Sequence, residues 1–136
     1  MKKIAILTLT FVVLFAISCK KESTNTDTIP PVITITAPAE DDTILQVYTT
    51  DSATLSFRIT DEDLHAFSVL ITNSAGNDTL LEMPEEHQEI NDLSISQKFQ
   101  LPVVVGTVKF KVIINAEDHS GNVREAIRNF SIRHTS

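Results

Sequence analysis

From Val32 onward, apolar and polar residues alternate with a period of two rather than 3.6, the pattern of strands that bury one face. Residues 32–37 read as a first strand, closed by Pro38. In 53–60 the alternation is cleanest: Ala53, Leu55, Phe57 and Ile59 share one face, and Thr54, Ser56, Arg58 and Thr60 the other. Phe67, Val69 and Ile71 carry the next strand, within 64–72; Leu64 is out of phase with them, which predicts a bulge or an entry kink. The segment 73–77 is a turn by composition, and 78–83 forms a short return strand that Pro84 should stop. Leu93, Ile95 and Phe99 mark a further strand. Val108, Phe110, Val112, Ile114 and Ala116 then alternate with Thr107, Lys109, Lys111 and Asn115. A turn at 118–122 leads to a last strand over about 123–133. The expectation is an all-β, antiparallel β-sandwich of about seven strands, without an amphipathic helix after the N-terminal segment.

That N-terminal segment has a different pattern. Two lysines, Lys2 and Lys3, precede an almost continuous apolar run from Ile4 to Ile17, and Ser18 and Cys19 follow. A basic start, a short apolar stretch and a small residue before the cut describe a secretory signal over 1–18. The run is short for a membrane-spanning helix, which needs about 20 apolar residues. Ala16-Ile17-Ser18-Cys19 resembles the lipobox of bacterial lipoproteins, with Ala where Leu is usual. That resemblance implies that Cys19 carries the diacylglycerol and acyl (palmitate-type) modification and becomes the first residue of the mature chain. An ordinary signal peptidase would accept Ala16 and Ser18 as well, and would cut at the same place. The single-cysteine count agrees with lipidation, since an exported thiol without a partner is an oxidation liability.

Residues 19–31 are polar and aperiodic up to Pro30-Pro31, and read as a flexible tether from lipidated Cys19 to a domain spanning 32–134. The charged residues after Cys19 resemble the surface-export signal of Bacteroidota lipoproteins, although only Glu22 supplies the acid. Together these features imply a cell-envelope, outer-membrane lipoprotein, anchored through its N-terminal lipid and open to outward display. Three segments resemble bacterial Ig-like domains: Pro30-Pro-Val-Ile-Thr-Ile-Thr-Ala-Pro38, Thr60-Asp-Glu-Asp-Leu64 and Ala116-Glu-Asp-His-Ser-Gly-Asn122. The whole arrangement looks like the single-domain Ig-like lipoproteins of Bacteroidota, a family catalogued as a domain of unknown function. The resemblance implies an Ig-like fold and an address, not an activity. The chain lacks the cysteine pair and core tryptophan of antibody-type domains, and its one tyrosine, Tyr48, lies far from the penultimate strand.

The chain carries 18 acidic and 11 basic residues, a net charge of −7. Without Lys2 and Lys3 the remainder stands at −9, which argues against nucleic acid or an anionic lipid surface as a partner. There is no Gly-x-Ser-x-Gly and no phosphate-cradling glycine loop among three glycines in all, so an enzyme is not expected. The first expectation is a binding or scaffolding module with a protein or glycan partner. The second concerns His65, His87 and His119. In a sandwich of this order, the loop 61–63, the end of the return strand and the turn 118–122 fall at one end. Three imidazoles could then meet there with the carboxylates Asp61, Asp63, Glu85, Glu86 and Asp118; neutral imidazoles with a carboxylate, foremost Asp61, Asp63 or Asp118, suit zinc, copper or nickel. A solvated polar loop end remains the plainer alternative. A third is calcium at the three aspartates, which lack an EF-hand spacing. His134 should lie at the opposite end. Glu85-Glu86 and Glu40-Asp41-Asp42 read as solvated charge runs, and Ile113 as an isolated apolar residue on an outward row.

Overall fold

The computed structural model describes residues 27–135, and Cys19, the signal segment and most of the expected tether lie outside them. Eight strands form within the described residues: β1 (Val32–Ala37), β2 (Asp42–Gln46), β3 (Ser52–Thr60), β4 (Leu64–Asn73), β5 (Thr79–His87), β6 (Asp92–Gln100), β7 (Thr107–Asp118) and β8 (Val123–His134). They make two sheets, one in the order β1-β3-β6 and the other β2-β8-β7-β4-β5. The chain changes sheet between β1 and β2, β2 and β3, β3 and β4, β5 and β6, and β6 and β7, which interlocks the two layers. All pairs are antiparallel except β2 with β8. The molecule is therefore an all-β, Ig-like sandwich, with eight strands rather than about seven.

The alternating rows close the sandwich. Leu55, Phe57 and Ile59 on β3 meet Phe67, Val69 and Ile71 on β4 and Phe110, Val112 and Ile114 on β7, all buried. Phe130 stacks on Phe110 at a centroid distance of 5.8 Å and meets Phe99 edge-on at 6.2 Å, bridging the layers. Burial of these rings and branched side chains, at about 1.5–3 kcal/mol each, is the main force available to a chain with no disulfide.

Three expectations are corrected by the backbone. The strand β2 is not among the expected strands, and only its first residue, Asp42, belongs to the charge run Glu40-Asp41-Asp42. Asp41 takes φ +57°, a left-handed turn that aspartate tolerates, and this steers the chain across to pair with β8. Pro84 does not stop β5, which continues to His87. β5 is the sheet edge, where a missing N–H is harmless, and the β4–β5 register shifts between Phe67/Glu86 and Val69/Met83 to absorb the proline. The third concerns the tether, whose last residues are held: the N–H of Ile29 donates to Asp27 Oδ1 (2.9 Å), and Asn122 Nδ2 donates to the Asp27 carbonyl (3.0 Å). The bulge expected from the phase of Leu64 is present, as a register shift between Leu64 and Ala66.

Candidate metal centre

One end of the sandwich collects the start of β1, the β3–β4 loop, the end of β5 and the β7–β8 turn. The backbone knits these pieces together. The Gln88 N–H donates to the His65 carbonyl (2.7 Å), the Asp61 N–H to Asn91 (3.0 Å) and the His119 N–H to Asp63 (3.0 Å). Each bond fixes one histidine-bearing segment against a neighbour.

His65 stands at the β4 bulge. An extra residue between Leu64 and Ala66 lets Leu64 keep its core position while His65 turns toward the sheet end. His87 is the last residue of β5 and lies opposite Ala66. His119 leads the turn that Gly121 completes at φ +84°, a conformation other residues adopt only under strain. The three rings meet: His65 and His87 lie edge to face with centroids 4.6 Å apart, and His65 and His119 lie 4.5 Å apart. His65 Nδ1 and His119 Nε2 are 3.3 Å apart.

The surrounding groups fix which nitrogens are free. His119 Nδ1–H donates to the Asp63 carbonyl at 3.1 Å and faces Asp63 Oδ1 at 3.2 Å. That assigns the proton to Nδ1 and leaves the Nε2 lone pair turned toward His65. Without an ion between them, His65 Nδ1–H then donates to His119 Nε2. His87 Nε2 lies 3.9 Å from Glu85 Oε1, and both side chains are about two-thirds exposed, at 67% each. As it stands, no group of three or more His, Cys, Asp or Glu among the described residues is arranged to hold a metal ion. Two nitrogens sit at ligand spacing, and the exposed His87 ring must turn to join them.

The aspartates expected as ligands take other places. Asp118 is buried, and both its oxygens are occupied: Oδ1 accepts the Asn122 N–H (2.8 Å) and Oδ2 accepts Asn122 Nδ2 (2.7 Å). Burial pushes its carboxyl up, but the Asn122 side chain and the N–H groups of Asn122, Ser120 and Gly121 outweigh that and hold it below the usual range. Asp118 thus closes the turn rather than facing the imidazoles. Asp61 Oδ1 accepts the Asp63 N–H (2.8 Å) and shapes the β3–β4 loop. Asp63 stands behind His119, on the far side of its ring from Nε2. Calcium at the three aspartates therefore has no shared oxygen cage to enter. Of the two glutamates expected near the histidines, Glu85 joins the cluster: two residues from His87 on one strand, it shares that residue's side, whereas Glu86 takes the other phase opposite Phe67. His134 ends β8 at the opposite end, beside Gln46.

No family model and no curated protein matches the sequence. Among solved structures, the chain is similar to CopC from Methylosinus trichosporium OB3b, at 14% identity and a TM-score of 0.46, over 77% of this chain and 97% of that one. It is also similar to murine CRIg, at 8% identity and a TM-score of 0.42, over 78% and 98% of the two chains. Neither likeness assigns a ligand to this chain.

Proposed function

We propose that this chain is an envelope lipoprotein, anchored through Cys19, whose Ig-like domain binds a divalent transition metal through His65, His87 and His119. One observation carries the reading: three imidazoles from β4, β5 and the β7–β8 turn stack at one end of the sandwich. The fold does not need them there, since the turns are closed by Asp61 and Asp118 and by backbone bonds.

The spacing supports coordination. At zinc–nitrogen bonds of about 2.0–2.1 Å, two ligands of a tetrahedral ion lie about 3.3–3.4 Å apart. His65 Nδ1 and His119 Nε2 already stand at 3.3 Å, a separation that is long for a hydrogen bond. Asp63 supplies the carboxylate that commonly orients a metal-bound imidazole from behind. With nitrogen and oxygen donors at this end, zinc, copper(II) or nickel is favoured over copper(I). Three protein ligands leave a fourth position for water or for a group on another molecule. Capture or hand-over of the ion at the envelope follows more readily from this arrangement than catalysis. A binding or scaffolding role toward a protein or glycan ranks first on sequence alone, and the meeting of the histidines reverses that order.

The test is calorimetric titration of zinc and, in parallel, copper(II) into the full chain. A saturable 1:1 isotherm is expected, weakened about 100-fold by His65→Ala, His87→Ala or His119→Ala, in the range that loss of one ligand or its support produces. His134→Ala should leave it unchanged. Equal binding by the wild type and the three cluster variants would remove the proposal.

A further inference from the structure

The outer face of the five-stranded sheet carries a charge gradient along its strands. In register, Leu70 on β4 lies beside Ile113 on β7, and Ile113 beside Ile127 on β8. All three take the outward phase, opposite to the buried Val69, Val112 and Ile114, and Ile127 is 50% exposed. The apparently isolated Ile113 is thus the middle of an apolar row across β4, β7 and β8, which ends at the exposed Glu82 on β5, beside Leu70. On the histidine side of this row the outer face presents Glu85, Glu117 and Glu125; on the other side it presents Lys109, Lys111 and Arg133. Arg124, at the acidic end, pairs with Ala116 and takes the inward phase.

We propose that this face binds the same face of a second copy of the chain, about a two-fold axis running along the Leu70–Ile113–Ile127 row. Such an axis reverses the strand direction and lays the glutamate half of each face on the lysine half of the other. An axis along the strands would stack glutamate on glutamate. β7 shows the match within one strand: Lys109 and Glu117 lie four positions either side of Ile113. In the pair, Lys109 of each copy therefore meets Glu117 of the other, and Ile113 meets its own mate, an isologous contact; Glu82, at the β5 edge of the row, falls opposite its own mate, a like-charge contact at the rim. Five strands about 4.8 Å apart and roughly ten residues long give a face on the order of 700–800 Å². A stable interface takes about 800 Å² per partner, so the face suffices only if nearly all of it is used. The net charge of −7 opposes self-association, and the cross-pairing of Lys109 with Glu117 is the charge contact of this face that works against it. The pair is independent of the metal reading: each histidine cluster lies beyond the acidic end of its own face, so the two clusters stand at opposite ends.

The test uses the full chain in detergent, by sedimentation equilibrium and thiol crosslinking. Ile113→Cys should crosslink to itself above the background that Cys19 sets in the unsubstituted chain. Lys109→Cys and Glu117→Cys should each crosslink weakly alone and strongly when mixed. K109E and E117K should each weaken the dimer about tenfold, and the double reversal K109E/E117K should restore it, as paired interfacial charges require. Self-crosslinking of Lys109→Cys as strong as that of the mixture would overturn the two-fold axis. Single reversals without effect, failure of the double reversal to restore the pair, or a monomer at every concentration would overturn the interface itself.

Discussion

The two ends of the sandwich are built alike and present different chemistry. At the histidine end, Asp118 gathers the N–H groups of its own turn. At the far end, Asp51 does the same: its Oδ2 accepts the N–H of Val47 (2.7 Å) and of Tyr48 (2.9 Å). These two backbone bonds, Tyr48 before Val47 in weight, hold the Asp51 carboxyl below its usual range. The loops at the Asp51 end expose Val47, Tyr48, Val103 and Val105, the last 97% exposed, beside the polar Thr49, Thr50 and Gln100. Around Asp118 they are imidazoles and carboxylates. Asp51 and Asp118 are therefore the same closing device, one at each end. The stack of three imidazoles is the feature that only one end has, and it needs an explanation other than turn chemistry.

Substitutions can separate what the ends share from what they do not. The largest effect should come from the core beneath both. Phe110→Ala removes a ring that is 1% exposed and stacked on Phe130, and should lower unfolding free energy by about 3–5 kcal/mol in urea titration. Next is the shared device: Asp118→Ala strips the β7–β8 turn of its acceptor and should lose about 2 kcal/mol. The pH dependence of this term has a definite sign. Asp118 ionises at lower pH folded than unfolded, where an aspartate titrates near 3.9. Its contribution should be complete above that value and lost as the pH falls through the lowered one, so Asp118→Asn should flatten the acid limb of stability against pH. A smaller effect belongs to the histidine end alone. Asp63→Ala should leave unfolding of the metal-free chain within about 0.5 kcal/mol of wild type, yet weaken zinc about tenfold, at the low end for loss of an orienting carboxylate. Smallest is Tyr48→Ser at the far end, expected to shift stability by less than about 0.5 kcal/mol and leave metal affinity unchanged.

Much of this architecture is legible in the alternation. The rows on β3 and β7 face as their pattern requires, and the out-of-phase Leu64 marks the bulge that turns His65 outward. Asp118 is also legible: it continues the inward row of Phe110, Val112, Ile114 and Ala116, and its burial follows from that count. The expected meeting of loops at one end pointed instead toward a ligand role, although the composition of 118–122 already reads as turn chemistry. β2 is hidden because its partner, β8, lies at the other end of the chain, and a half-exposed edge strand carries little apolar signal. The continuation of β5 past Pro84 is hidden because proline reads as a stop unless the strand is known to be an edge. The histidines are 22 and 32 residues apart and form no motif; only the strand order brings them together, and no periodicity states how far His87 must turn.

The central claim is that these three imidazoles are metal ligands, and X-ray absorption at the zinc edge of the fully loaded chain reads that claim most directly. The expected spectrum has nitrogen neighbours at about 2.0–2.1 Å and the outer-shell scattering of three imidazoles, falling to two in His87→Ala. A shell of oxygens without imidazole scattering, or a spectrum unchanged by His87→Ala, would contradict it.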